Sequence, residues 1–122
     1  MIVIVDYGSG NLNAIANIYK SLKIPFCISS SPLEISKAKK LILPGVGSFD
    51  HCMSRLNESG LKDILNERVL INNVPVLGIC IGLHLMANSS QEGNLPGLGW
   101  IDGVVKKFDK NKLIHKPKLP HM

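Results

Sequence analysis

Short apolar runs, each cut off by a turn residue, limit what this chain can fold into more than any other feature. "IVIV" (Ile2–Val5) ends at Asp6, "KLIL" (Lys40–Leu43) ends at Pro44, and "VPVLGI" (74–79) runs into a glycine-flanked cysteine. An uninterrupted β-branched or aliphatic run of this length suits a strand buried on both faces of a parallel sheet. Between the runs the period lengthens. "NLNAIANIYKSL" places Leu12, Ile15, Ile18, Tyr19 and Leu22 on one helical stripe, behind a turn made by Gly8 and Gly10. "PFCIS" predicts a second strand and 33–38 a helical turn, while "SFDHCMSRL" and "LKDILNERVLI" predict one broken or two short helices divided at Gly60. Beyond the cysteine, "IGLHLMANSS" reads as a helix over 81–90, "GNLPGLG" as a loop and "GVVKKF" as a further strand over 103–108. Strands alternating with helices predict an α/β fold with a doubly wound, mostly parallel sheet, because parallel neighbours need crossover helices on the faces. In such sheets, sites gather beyond the carboxyl ends of the strands.

At 122 residues the chain has material for one core and none for a second, so residues 1–122 read as a single globular domain. The apolar stretches 1–5 and 74–83 are too short to span a bilayer, and the first lacks the basic region of a secretion signal. The expectation is a cytoplasmic protein without a membrane segment. Three cysteines, Cys27, Cys52 and Cys80, without a CxxC pair, argue against a disulfide framework and against a cysteine-rich metal site. The net charge of +5 is not spread along the chain: up to Asp102, eight Lys/Arg meet eight Asp/Glu, and the excess lies in the last 20 residues. Without stacking aromatics or a recognition motif, such a tail points to a solvated or partner-facing edge and not to nucleic acid.

Three segments follow predicted strands: "DYGSGN", "PGVGSF" and "GICIG". The first opens like a dinucleotide fingerprint, but Asn13 stands where the third glycine belongs, which favours a tight turn over a cofactor site. Gly78-Ile79-Cys80-Ile81-Gly82 has the form of a nucleophile elbow with cysteine in place of serine. There a sharp turn exposes the thiol, glycines let backbone pack closely, and a helix N-terminus favours thiolate over thiol. The Ile81 N–H would point at the oxyanion formed when that thiolate attacks a carbonyl. The ordinary alternative is a core cysteine in an apolar run, the reading that also fits Cys27 and, as core or surface, Cys52. For "PGVG", Gly45-Val46-Gly47 offers amides that turn freely toward an anion, against an ordinary proline-glycine turn.

Taken together, "IVIVDYGSGN", "LILPGVGSF", "VPVLGICIGLHLM" and the terminal "KLPHM" resemble the class I glutamine amidotransferase family, and within it the branch of glutaminase subunits of imidazole glycerol phosphate synthases. The resemblance makes residues 1–122 the N-terminal part of a single domain, and it implies a flavodoxin-like sheet, C-terminally incomplete in these residues, and no cofactor or metal. It further implies glutamine hydrolysis through a cysteine thioester, with ammonia passed to a (β/α)8-barrel cyclase subunit in histidine biosynthesis. Carried over by motif, Cys80 matches the nucleophile, Gly45, Val46 and Gly47 the oxyanion strand, and Glu92 a substrate-binding position. His84 stands where the family has a glutamine contacting substrate. In the family the oxyanion strand reorients when the partner is loaded, and "LPHM" and "DYGSGN" match segments near the partner-facing surface. The family's catalytic His-x-Glu pair lies well downstream of the elbow; neither His115 nor His121 is followed two places on by a carboxylate, so no complete triad is expected from these residues. Two other expectations belong to the same motifs: a paralogue supplying ammonia for amidination of a bacterial surface sugar, and a non-catalytic interaction module. A third, the DJ-1/PfpI-like superfamily, shares the cysteine elbow but not the "PGVG" and "LPHM" segments.

Overall fold

A computed structural model describes residues 1–106. The predicted strand over 103–108 is seen as β6 (Val104–Val105) within that span; its last two positions, the lysine-rich tail, His115, His121 and the terminal "LPHM" lie outside the described residues. Four strands, β1 (Ile2–Val5), β2 (Phe26–Ser29), β3 (Lys40–Leu43) and β4 (Val76–Gly78), form one parallel sheet in the order β2-β1-β3-β4. The register sets Ile4 beside Ile28 and Ile42, and Ile42 beside Leu77. Because side chains alternate across a strand, that register sorts the apolar runs onto two faces. Val3, Val5, Leu41 and Leu43 point into the larger core, and Ile4 and Ile42 into a smaller one.

Each face has its helices. On the smaller-core side lies α1 (Leu12–Ser21), capped by the Asn11 side chain, which accepts from the Ala14 N–H. The larger core receives α2 (Pro32–Ser36), α3 (Phe49–Ser59), α4 (Lys62–Asn66) and α5 (Ile81–Leu85) through Ile35, Met53, Leu56, Leu65 and Leu85. Ser31 and Ser48 cap α2 and α3 in the same way, and Gly60 ends α3 in a left-handed conformation, φ +76°. The division predicted at Gly60 is therefore present. After it, α4 passes into a five-residue π-helical turn, Glu67–Ile71, that the apolar pattern did not announce.

Two helical expectations need correction. The stripe of α1 that packs on the sheet is Leu12, Ile15, Ala16 and Tyr19, whereas Ile18 and Leu22 are 58% and 60% exposed. At 3.6 residues per turn, positions 12, 15, 16 and 19 close a narrow face that leaves 18 and 22 to its side. The helix expected over 81–90 stops at Leu85. Its continuation is pre-empted by a loop: the carbonyls of Leu85, Met86 and Ala87 accept from the N–H groups of Leu98, Ile101 and Gly99 at 2.7–3.1 Å. With those acceptors taken, residues 89–90 become strand β5 (Ser89–Ser90), paired with β6 in a separate two-stranded sheet.

Candidate active site

The turns at the carboxyl ends of β1, β3 and β4 meet at one edge of the molecule. The last sheet rung before the elbow is the Ile79 N–H to the Leu43 carbonyl, 3.0 Å. Cys80 follows as the residue before α5, with φ 56° and ψ −127°, and its side chain is exposed. A non-glycine residue held there costs about 1–3 kcal/mol, the kind of strain a nucleophile elbow carries. Close packing of backbone on backbone enforces it. A Cβ placed on Gly82 would lie 2.0 Å from the Leu43 carbonyl oxygen, and one on Gly78 would lie 2.6 Å from the Leu83 Cα. The glycines flanking Cys80 thus let α5 start directly against the ends of β3 and β4. A buried core cysteine, the alternative reading of this stretch, does not describe Cys80.

Beside it runs the glycine loop, 44–47. It is near enough for the Ile81 N–H to donate to the Gly45 carbonyl at 3.2 Å. This corrects the expectation that the Ile81 N–H points to an incoming oxyanion: in this conformation the loop's own carbonyl occupies that donor. The Val46 N–H is likewise engaged, donating to Ser9 Oγ at 3.2 Å. The Val46 carbonyl in turn accepts from Ser9 Oγ and from Cys52 Sγ, 3.2 Å each, and those two side-chain atoms are 3.2 Å apart. The Tyr7 hydroxyl donates to the Pro44 carbonyl. Burial, and after it the neighbouring Cys52, pushes the Tyr7 phenol far above its ordinary value of 10, so the group stays a neutral donor. For two amides to face an oxyanion, the Gly45 carbonyl has to turn away from Ile81 and the Val46 amide has to leave Ser9.

The remaining predicted residues are placed as follows. His84 is half-buried on α5, four residues after Cys80. Glu92 is exposed on the loop after β5, its N–H bonded to Ser90 Oγ at 3.2 Å. Cys27 is partly buried against the larger core, its thiol 3.8 Å from the Glu34 carboxylate, and Cys52 is fully buried. A cavity of about 160 Å³ lined by Met1, Val3, Cys27, Glu34, Lys37 and Ala38 lies at the other, amino-terminal end of the strands, away from the elbow. Among the described residues, no three His, Cys, Asp or Glu stand together in a way that suits a metal ion, and no helix is long and apolar enough to cross a membrane. Sequence reasoning missed Tyr7, Ser9 and Cys52 as the groups that hold the glycine loop. Ser9 and Cys52 are 43 positions apart, and no local signal pairs them.

Comparison with known proteins bears on the family. Residues 3–121 match the family described as "Glutamine amidotransferase class-I". The protein named "Imidazole glycerol phosphate synthase subunit HisH" from Bdellovibrio bacteriovorus is 53% identical over 122 residues, covering all of this chain and 60% of its own length. A relative from Methanococcus maripaludis, "Imidazole glycerol phosphate synthase subunit HisH 2", is 52% identical, covering all of this chain and 59% of its own. The chain therefore spans about three fifths of the length of the curated relatives it matches. A solved structure titled "Crystal structure of glutamine amidotransferase" superposes with a TM-score of 0.71 at 23% identity, covering 87% of this chain and 56% of that one, which bears on the fold alone. An exposed cysteine on a strained turn, a glycine loop bonded to the next residue's amide, and a family match over nearly every position lead to one statement: this chain belongs to the class-I glutamine amidotransferase family.

Proposed function

We propose that residues 1–122 form part of the glutaminase domain of an imidazole glycerol phosphate synthase, acting in the cytoplasm as one half of a heterodimer with a (β/α)8-barrel cyclase subunit. The observation that carries the proposal is Cys80, exposed at φ 56° on a turn whose following amide touches the glycine loop. The names of the relatives supply the pathway. In the proposed reaction, the Cys80 thiolate adds to the side-chain carboxamide carbon of glutamine. The oxyanion so formed is met by the amides of Ile81 and the reoriented 45–47 loop. The C–N bond then breaks as the nitrogen takes up the proton that left the Cys80 thiol, returned by the general base that the family's downstream histidine supplies, ammonia leaves, and an Sγ–carbonyl thioester remains. Water adds to the thioester, the C–S bond breaks, and glutamate and the thiol are released. Glu92 and His84 are assigned to substrate contact.

The Ile81 and Val46 amides are both engaged inside the protein, which on this reading makes the described conformation a resting one. Partner loading is assigned the role of turning the loop. Because no complete triad is expected from residues 1–122, the test is ammonia release from glutamine by this chain joined to the family's downstream His-x-Glu segment, with and without the cyclase subunit and with Cys80→Ser as control. Release that depends on Cys80 and rises with the partner supports the reading. A chain that binds the cyclase while Cys80 is never acylated by glutamine would instead be an interaction module.

A further inference from the structure

The first turn of α3 carries a carboxylate whose task lies outside its own helix. Asp50 follows the Ser48 cap and so stands three residues past the glycine loop. Its Oδ1 and Oδ2 each accept from the Asn94 N–H at 2.9 Å, and Oδ1 also accepts from the Leu95 N–H at 3.0 Å. Just upstream, the N–H groups of Glu92 and Gly93 are held by Ser90, through its Oγ and its carbonyl, at 3.2 Å each. Four successive amides, 92 to 95, are therefore engaged, with Glu92 and Asn94 exposed and Leu95 partly buried against the larger core. Hydrogen bonds to a carboxylate are charge-assisted and stronger than those between neutral groups. The fit is close: a Cβ on Gly93 would lie 2.5 Å from Asp50 Oδ1.

We propose that Asp50 is a positioning residue for glutamine recognition: seated against Gly93, its carboxylate holds the amides of Asn94 and Leu95, anchors the far side of the turn that Ser90 holds at 92 and 93, and so orients Glu92 toward a substrate on Cys80. Helix α3 starts at the end of the oxyanion loop, so the same clamp sets the spacing between the loop that meets the reacting carbonyl and the loop that meets the rest of the amino acid. The inference rests on the reading of Cys80 and Glu92 given above. It makes no demand on the identity of the ammonia acceptor.

The experiment compares two reagents at Cys80 in the full chain, followed by peptide mass spectrometry so that Cys27 and Cys52 are read separately. The diazoketone analogue of glutamine, 6-diazo-5-oxo-L-norleucine, needs the amino acid to be recognised; iodoacetamide needs only an accessible thiol. Asp50→Ala is expected to slow alkylation by the analogue about tenfold or more, the scale of loss from a misplaced contact, and to leave the iodoacetamide rate unchanged. Gly93→Ala keeps every charge but pushes the carboxylate off its seat, and is expected to do the same. Asp50→Asn, which keeps one acceptor oxygen, falls between wild type and Asp50→Ala. Wild-type rates with the analogue in both Asp50→Ala and Gly93→Ala overturn the inference and leave the reading of Cys80 standing. An equal fall with both reagents also overturns it, because the clamp then supports the elbow in general. If the wild-type chain reacts with iodoacetamide but not with the analogue, the glutaminase reading falls and takes the inference with it.

Discussion

The turn after β3 and the turn after β4 leave neighbouring strands and are joined by the Ile81 to Gly45 hydrogen bond, yet different means hold them. The elbow after β4 is shaped by backbone packed on backbone. Gly78 and Gly82 let α5 start against the strand ends, and Cys80 is left with the one strained conformation that fits. The glycine loop after β3 shares that packing only at Gly45, where a Cβ would lie 2.7 Å from the Gly82 nitrogen, and is otherwise held by side chains from elsewhere, Tyr7 on Pro44 and Ser9 and Cys52 on Val46. A shape set by excluded volume is rigid, whereas one set by a few hydrogen bonds changes when those bonds find other partners. That contrast suits a site in which the nucleophile stays fixed and the oxyanion donors are brought to it.

The largest expected effect strikes the rigid turn. Gly82→Ala places a methyl group against the Leu43 carbonyl and should cost about 3 kcal/mol or more, read as a lowered urea midpoint. A wild-type midpoint would mean that the elbow is as adaptable as the loop, and the contrast would be lost. Next comes Tyr7→Phe, which strips a buried carbonyl of its donor and should cost about 1–3 kcal/mol. It also has a pH signature. The folded-state phenol titrates above the unfolded value of 10, so the folded chain binds the proton more tightly. That stability is complete below pH 10 and drains away as the pH climbs past it. The difference between the urea midpoints of wild type and Tyr7→Phe should therefore shrink above pH 10; a difference that stays constant there would show that Tyr7 is no buried donor.

A smaller effect sharpens the picture of the movable loop. Ser9→Ala removes two ties on Val46 and Cys52→Ala one, and each should cost about 1 kcal/mol or somewhat more. If the tied loop is the resting state, weakening it by that amount raises the share of other loop conformations about fivefold. Alkylation of Cys80 by the diazoketone analogue should speed up accordingly, and a slowed reaction would assign the ties to the productive state instead. The smallest change runs in the opposite direction. Cys80→Gly relieves the φ 56° strain and should stabilise the chain by up to about 1 kcal/mol while removing all Cys80 labelling, measured as a rise in the urea midpoint. A fall in the midpoint would mean that the turn carries no strain.

Much of this architecture was legible in the sequence, for reasons that name particular residues. "IVIV" and the "LIL" of "KLIL" are β-branched or aliphatic throughout, and each run ends at a residue that stops a strand, so β1 and β3 appear over the predicted residues. Gly60 is a residue that ends helices, so the break between α3 and α4 was legible locally, whereas the caps Asn11, Ser31 and Ser48 emerged with the structure. Less was legible where the deciding partner lies far along the chain. Nothing in "IGLHLMANSS" shows that Leu98, Gly99 and Ile101 will take the carbonyls a longer α5 needs. Helical spacing alone did not separate Ile18 from Tyr19 on α1, since which face meets the sheet depends on where β1 and β2 lie. Nor does any motif announce Asp50, whose acceptor role exists only once the 93–95 loop is laid across it.

By itself the sequence determined that strands and helices alternate, that the sheet is parallel, and that a cysteine stands between glycines at a strand-to-helix turn. These follow from short-range sterics and apolar periodicity, which act between residues only a few positions apart. Only the tertiary structure decided that the Ile81 and Val46 amides are engaged, that Ser9 and Cys52 meet beneath the loop, and that a carboxylate on α3 holds the loop bearing Glu92. Each of those is a hydrogen bond between segments more than thirty residues apart or a competition for one acceptor, and such contacts are settled only when packing brings the segments together.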